Sequence, residues 1–180
     1  HPKKCGLEVI RVETYEKPTP SIHIAIAPTK NSERIEWFVE KSVEIGITNI
    51  TFLLCEKSER KNINIDRVEK IVISALKQSL QYHKPIVEGM VKFNDFCSNS
   101  TGLEQRFIAH CDDSEKNDFK KVCMPGKDTL VLIGPEGDFS DNEIKVSRKF
   151  GFEPVTFGEK RYRTETAGLA ACHIINILNN

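Results

Sequence analysis

The chain has 180 residues, 39% hydrophobic and 29% charged, which is enough for one well-packed domain with part of another. Lys plus Arg and Asp plus Glu balance at 26 each, so there is no global basic field of the kind that holds nucleic acid by net charge alone. No stretch approaches a transmembrane span, no signal peptide is visible, and the six cysteines are scattered without CxxC or metal-ligand spacing. The expectation is a reduced, intracellular protein with no metal and no membrane partner.

Leu7–Thr14 alternates apolar and polar residues like an edge strand, and the Pro-bearing stretch 16–20 reads as a linker. Ser21–Ala27 is a strand. After Pro28-Thr29-Lys30, Asn31 or Ser32 can cap a helix running to Gly46, with Ile35, Phe38, Val39 and Val43 on its apolar face. Asn49–Cys55 is the next strand, followed by a charged loop over 56–62. Asp66 can cap a second helix that buries Val68, Ile71, Val72, Ala75 and Leu76 and ends near Pro85.

Ile86–Val91 reads as a strand, Asn94–Cys97 as a short helical turn and Arg106–Cys111 as a further strand. His110-Cys111 has no partner ligands at metal spacing and reads as a strand end lining a pocket. Asp112–Lys121 is polar and is expected to be a flexible excursion.

Thr129–Ile133 is a short β-branched apolar run of the buried parallel type. It stops at Gly134-Pro135-Glu136-Gly137. Ser140 and Glu143 then form a capping box that starts a helix ending before Gly151. Strand, Gly-rich loop and helix place backbone N–H groups around a polar ligand at a strand's carboxyl end, although neither GxGxxG nor GxxxxGK[ST] is present. The unit repeats in outline: strand Pro154–Phe157, loop 158–163, then a helix over Thr166–Leu178 with Ala167, Ala170, Ala171, Ile174 and Leu178 along one face. Small residues there allow close helix approach, either within the core or across a two-fold interface. The alternation from Ser21 onward argues for an α/β domain with a largely parallel sheet.

"LIGPEGDFSDNEI" and "RYRTETAGLAA", in that order near the C-terminus, resemble the RsmE family of rRNA uridine methyltransferases in the SPOUT superfamily. The likeness extends to Lys30, Arg34, Glu36, Lys41, Glu44 and Gly46 in the first helix region, and to Ser58-Glu59-Arg60. At Lys77–Gln81 the chain departs from the family pattern, with Lys77, Leu80 and Gln81 where Glu, Gly and Arg are usual. The resemblance implies a SPOUT-type, mostly parallel sheet with a deep C-terminal trefoil knot over residues 17–180. It also implies that residues 1–16 are the tail of an N-terminal PUA-like β-barrel, the rest of which is expected to be missing from a chain that opens on His1 without Met.

By the same resemblance the cofactor is S-adenosylmethionine, held by Leu132, Ile133, Gly134, Glu136 and Gly137 from the first loop. Phe157, Gly158, Tyr162, Arg163 and Thr164 supply the second. The implied reaction is methyl transfer to N3 of a uridine in small-subunit (16S) rRNA or the 30S subunit, by a cytoplasmic homodimer. Uridine N3–H is a weak acid, so a base or an electropositive site helps remove its proton. Arg161 and Arg163 are the electrophilic or phosphate-binding candidates, and Glu165 is the carboxylate, either as general base or as an acidic residue placed for the helix dipole. The competing reading is a non-catalytic RNA-binding or ribosome-assembly module, favoured by the neutral charge and the altered 77–81 segment.

Overall fold

The computed structural model describes residues 5–112 and 115–180. Seven strands form one sheet with every pairing parallel: β1 (Ile22–Ile26), β2 (Asn49–Leu54), β3 (Ile86–Lys92), β4 (Gln105–Ala109), β5 (Asn117–Asp118), β6 (Thr129–Ile133) and β7 (Glu153–Thr156). Their spatial order is β3-β2-β1-β6-β4-β7-β5. Among the described residues six helices cover the sheet: α1 (Ser32–Ile45), α2 (Ile65–Ser79), α3 (Phe93–Asn99), α4 (Phe119–Val122), α5 (Asp141–Lys149) and α6 (Thr164–Asn179).

Period-two alternation divides each strand between two cores. Ile22, Ile24 and Ile26 of β1, Ile50 and Phe52 of β2, and Val131 and Ile133 of β6 face α1, α2, α4 and α6. Ala25 of β1, Leu53 of β2, Ile108 of β4, and Leu130 and Leu132 of β6 face α3 and α5. β6 is covered on both sides, which is why Leu130–Ile133 is apolar at every position. Each crossover toward β3 carries its helix on the first face, and each crossover toward β7 carries it on the second. A single crossover hand requires that arrangement.

α6 packs beside α1 because Gly168 lets it. A Cβ at that position would sit 2.7 Å from Phe38 Cε2 and 3.0 Å from Ile26 Cδ1. The buried line of α6 is Gly168, Ala171, Cys172 and Ile175, while Ala170 and Ile174 of the expected stripe are only half covered. Cys55, Cys97, Cys123 and Cys172 are buried and behave as small apolar side chains. Burial pushes all four thiols up, Cys172 to about 12.

Four local expectations are corrected. The second helix is capped by Asn64, whose side chain accepts from the Arg67 amide, so it starts at Ile65, ahead of Asp66. α3 runs over seven residues because Phe93, Phe96 and Cys97 all turn into the core. The polar stretch 112–121 is not an excursion, although its residues 113 and 114 lie outside the described residues. It contains β5 and α4, pinned by a fully buried Phe119 whose ring stands edge-on to Phe107 and Phe157. Leu7–Thr14 pairs with no strand among the described residues. Leu7, Val9, Ile10 and Val12 are each more than three-quarters exposed. Of the expected barrel tail, residues 1–4 lie outside the described residues.

Candidate active site

The carboxyl ends of β4 and β6 and the loop entering α6 enclose a cavity of about 350 Å³. Its walls are Ala109 and Cys111 after β4, Ile133 to Glu136 and Asp138 after β6, and Arg161 to Thr164 with Ala167 at the start of α6. A parallel sheet places ligands at this edge, where loops leave neighbouring strands and helix N-termini converge.

The first wall is a tight turn. Gly134 is buried, and a Cβ there would lie 3.1 Å from the Phe139 ring and 3.2 Å from the Phe139 amide, so only glycine fits without displacing the loop. Asp138 takes the left-handed conformation at φ 63° and donates its amide to Pro135 O at 2.9 Å. Its carboxylate accepts from the Cys111 and Phe139 amides, both at 2.8 Å, and so ties the end of β4 to this loop. Beyond it, the capping box of Ser140 and Glu143 starts α5. Glu143 also accepts from the Glu56 amide at 2.9 Å, which joins the β2 loop to the same turn.

The two loops are linked directly. Thr164, buried at the start of α6, donates its hydroxyl to Gly134 O at 3.0 Å. Glu136 reaches in the other direction and accepts from the Lys30 amide at 2.9 Å. Arg60 holds that segment by donating to Thr29 O at 2.8 Å and Lys30 O at 2.5 Å, while Lys30 Nζ pairs with Glu59 at 2.8 Å. The Glu59 carboxylate raises the Lys30 ammonium above its ordinary range, so Lys30 stays charged.

Of the expected ligand residues, the structure brings Ile133, Gly134, Glu136, Tyr162, Arg163 and Thr164 to the cavity, with Arg161 among them. Leu132 points into the opposite core, and Gly137 lies against Lys57. Phe157 packs on Phe119 and lines a smaller adjoining cavity of about 60 Å³, and Gly158 turns the chain there at φ 113°. Glu165 does not face the main cavity. It lines a separate cleft of about 380 Å³ on the other side of the first turn of α6, beside Arg34 and Trp37. Ala109, Cys111, Pro135, Asp138 and Ala167 are wall residues that motif reading did not single out as ligands. The strand-end reading of His110-Cys111 was the available signal, and it is Cys111 that reaches the main cavity. His110 is buried behind it, and burial lowers its pKa. Among the described residues no cluster of three or more His, Cys, Asp or Glu side chains could hold a metal ion, and no helix is long and apolar enough to cross a membrane.

Residues 15–176 match the family described as an RNA methyltransferase domain. The chain is 30% identical over 178 residues to the ribosomal RNA small subunit methyltransferase E of Buchnera aphidicola from Acyrthosiphon pisum, covering 91% of this chain and 68% of that one. Among solved structures, a probable rRNA-methyltransferase from Porphyromonas gingivalis superposes with a TM-score of 0.88 at 44% identity, over 93% of this chain and 71% of that one. The Neisseria gonorrhoeae ribosomal RNA small subunit methyltransferase E, solved bound to S-adenosyl methionine, gives 0.77 at 26% identity, over 88% and 66%. The fold is thus that of an RNA methyltransferase. Within that class, the chain belongs to the ribosomal RNA small subunit methyltransferase E (RsmE) family.

Proposed function

We propose that this protein transfers a methyl group from S-adenosylmethionine to N3 of a uridine in small-subunit rRNA. The observation that carries the reading is the cavity closed by the Thr164–Gly134 hydrogen bond, because it joins the two loops on which the family likeness rests. The residues present fit the cofactor. The cavity volume is in the range of small-molecule sites, Gly134 allows close approach to the backbone, and the wall carries both carboxylates and guanidinium groups for a ligand bearing charges of both signs. Ile133, Gly134, Glu136, Tyr162, Arg163 and Thr164 hold it, with Leu132, Gly137, Phe157 and Gly158 supporting the two loops from behind.

When bound, S-adenosylmethionine supplies an electrophilic methyl group on a sulfonium sulfur that departs as a neutral thioether. The chain's own residues do the rest. Arg161 and Arg163, both exposed at the mouth, face the incoming RNA, where their charge stabilises the uridine anion left when the N3 proton passes to solvent water, or binds a flanking phosphate. Glu136 and Asp138 put negative charge on the wall, which favours a sulfonium over its neutral product. Holding both reactants in register supplies much of the rate.

The same reading extends to architecture. The connection from β4 to β6 crosses the α5 face at Glu115–Asn117, next to Arg148 and Pro154, and returns on the opposite face through Phe119 and Cys123. β7 lies between β4 and β5, inside that circuit, which supports a chain threaded as a trefoil knot. Exposed Ile177 and half-exposed Leu169, Ala170 and Ile174 on α6 support a homodimer. The bare apolar side chains at Leu7–Val12 support residues 1–16 as the tail of a PUA-like barrel, with residues 17–180 as the methyltransferase domain. The setting for rRNA modification is the cytoplasm.

Calorimetric titration with S-adenosylmethionine, with ATP and NAD as controls, tests the reading. Saturable binding of S-adenosylmethionine alone is expected. Equal or absent binding of all three overturns it.

A further inference from the structure

A second cavity, of about 760 Å³, lies on the α3 face of the sheet and shares no residue with the site described above. Its polar lining is His23, Glu88, Asn99 and Ser100, while Val91, Phe96 and Leu103 supply apolar surface. Two of these side chains are joined through Thr51. The Glu88 carboxylate only accepts, so Thr51 donates its hydroxyl to Glu88 Oε2 at 2.7 Å and itself accepts from His23 Nε2–H at 2.9 Å. That chain fixes the tautomer, and burial keeps the ring neutral by lowering its pKa to about 4. His23 Nδ1 therefore carries a lone pair. No described residue donates to it, and unlike both ring nitrogens of His110 it is not sealed from solvent. At the far end of the chain Glu88 is exposed, and its Oε1 takes no bond from a described residue. A β-bulge presents it: Thr51 pairs with Glu88 and Phe52 with Met90, so Gly89 is an extra residue in β3, and Glu88 and Gly89 both border the cavity. Arg106 donates to Ser100 O at 3.4 Å and lies over the Phe152 ring, outside the lining. The lining thus holds one carboxylate, one bare imidazole acceptor and no cation.

We propose that this cavity binds a short aliphatic polyamine. The two open acceptors stand at opposite ends of the His23–Thr51–Glu88 chain, and the two nitrogens of an imidazole point apart, so a single ammonium group cannot serve both. Two amino groups on a short methylene spacer can. One ammonium pairs with Glu88, the other donates to His23 Nδ1, and the spacer lies against Val91, Phe96 and Leu103. Other ligand classes fit less well. A phosphate or carboxylate would meet Glu88 with no cation to offset it. A metal ion would find one imidazole and one carboxylate, and among the described residues no cluster of three ligating side chains is present. The inference does not depend on the methyl-transfer reading, because the cavity lies apart from the two loops that carry it.

Calorimetry at fixed ionic strength tests this with putrescine and cadaverine as diamines, butylamine as the matching monoamine and butanediol as the uncharged control. Saturable binding of at least one diamine is expected, about tenfold or more tighter than butylamine, with none for butanediol. In the ¹⁵N-labelled chain the His23 Nδ1 resonance, assigned by its loss in His23→Gln, should move upfield on saturation as the lone pair becomes an acceptor. Glu88→Gln, checked for an unchanged melting temperature, should bring the diamine down to the affinity of butylamine. Glu136→Gln, which removes a carboxylate from the main cavity, should bind the diamine as the wild type does. Equal affinity for diamine and monoamine, no saturable binding at millimolar amine, or a stationary Nδ1 resonance overturns the inference. So does diamine binding that survives Glu88→Gln, or that is lost in Glu136→Gln, which would place the amine beside the main cavity. A chain that binds S-adenosylmethionine and ignores the amines loses this site and keeps the methyltransferase reading.

Discussion

The Lys30 amide donates to Glu136 Oε1 at 2.9 Å, so the loop after β1 and the loop after β6 meet at the rim of the main cavity. Arg60 completes the joint from the loop after β2 through two short hydrogen bonds to the carbonyls of Thr29 and Lys30. Arg60 is absent from the cavity wall, yet the position of a wall residue depends on it. Arg60→Ala should weaken S-adenosylmethionine binding about tenfold, in line with the loss of charge-assisted hydrogen bonds. Combined with Glu136→Gln, the two losses should be less than additive, because both act through Lys30. Calorimetry on the four proteins of the cycle checks this, and additive losses would separate Arg60 from the cavity.

Thr164 and Gly134 form the other joint. Thr164→Val keeps the shape and removes the hydroxyl that Gly134 O accepts from, leaving that carbonyl unpaired in a buried place. The expected cost is about 1–3 kcal/mol of unfolding free energy, measured by urea denaturation, together with weaker cofactor binding. An unchanged midpoint would mean that the two loops are held together by something else.

Gly168→Ala sets two effects against each other. Alanine favours a helix over glycine by about 1 kcal/mol. The new methyl, however, would meet Phe38 Cε2 at 2.7 Å and Ile26 Cδ1 at 3.0 Å, and both of those residues are fully buried. Overpacking of this kind costs about 1–3 kcal/mol, so net destabilisation is expected. A rise in melting temperature would contradict the close approach of α6 to α1.

His23 gives a pH dependence with a definite sign. Thr51 donates its hydroxyl to Glu88 at 2.7 Å, so it accepts from His23 Nε2–H at 2.9 Å, and the ring is neutral. Burial lowers the His23 pKa to about 4 from 6.5, outweighing the nearby Glu88 carboxylate. Below pH 6.5 the unfolded chain takes up a proton that the folded one refuses. Stability is therefore lost as pH falls from 6.5 toward 4 and levels off below that, by about 3 kcal/mol in all from this group. His23→Gln should flatten that part of the profile in urea melts from pH 4 to 7. A mutant with the wild-type slope would remove His23 as its source.

The parts of this fold that were legible in the chain are those where periodicity runs long enough to be read. β1, β2 and β6, the apolar face of α1 and the Ser140–Glu143 capping box follow directly from residue pattern. β5 and α4 have two and four residues, too few to show any period, and only the burial of Phe119 fixes them. Asn64 and Asp66 are equally good caps in sequence, and the choice between them is made by where the chain enters the core. At the site, the glycine loops and Arg161 to Thr164 were legible because each is a contiguous motif. Cys111 was legible only as a pocket-lining strand end, and Asp138 and the Arg34–Trp37–Glu165 cleft were not legible, since strand order and the packing of α6 against α1 bring them together from distant parts of the chain.

The most direct test supplies the chain with tritiated S-adenosylmethionine and small ribosomal subunits from cells that lack the modification, then identifies the labelled nucleoside after complete digestion. Label in 3-methyluridine, lost in Arg163→Ala while that variant keeps its fold, is the predicted result. A chain that binds the cofactor but leaves the RNA unlabelled, or places the label on a ribose or on another base, would contradict the account.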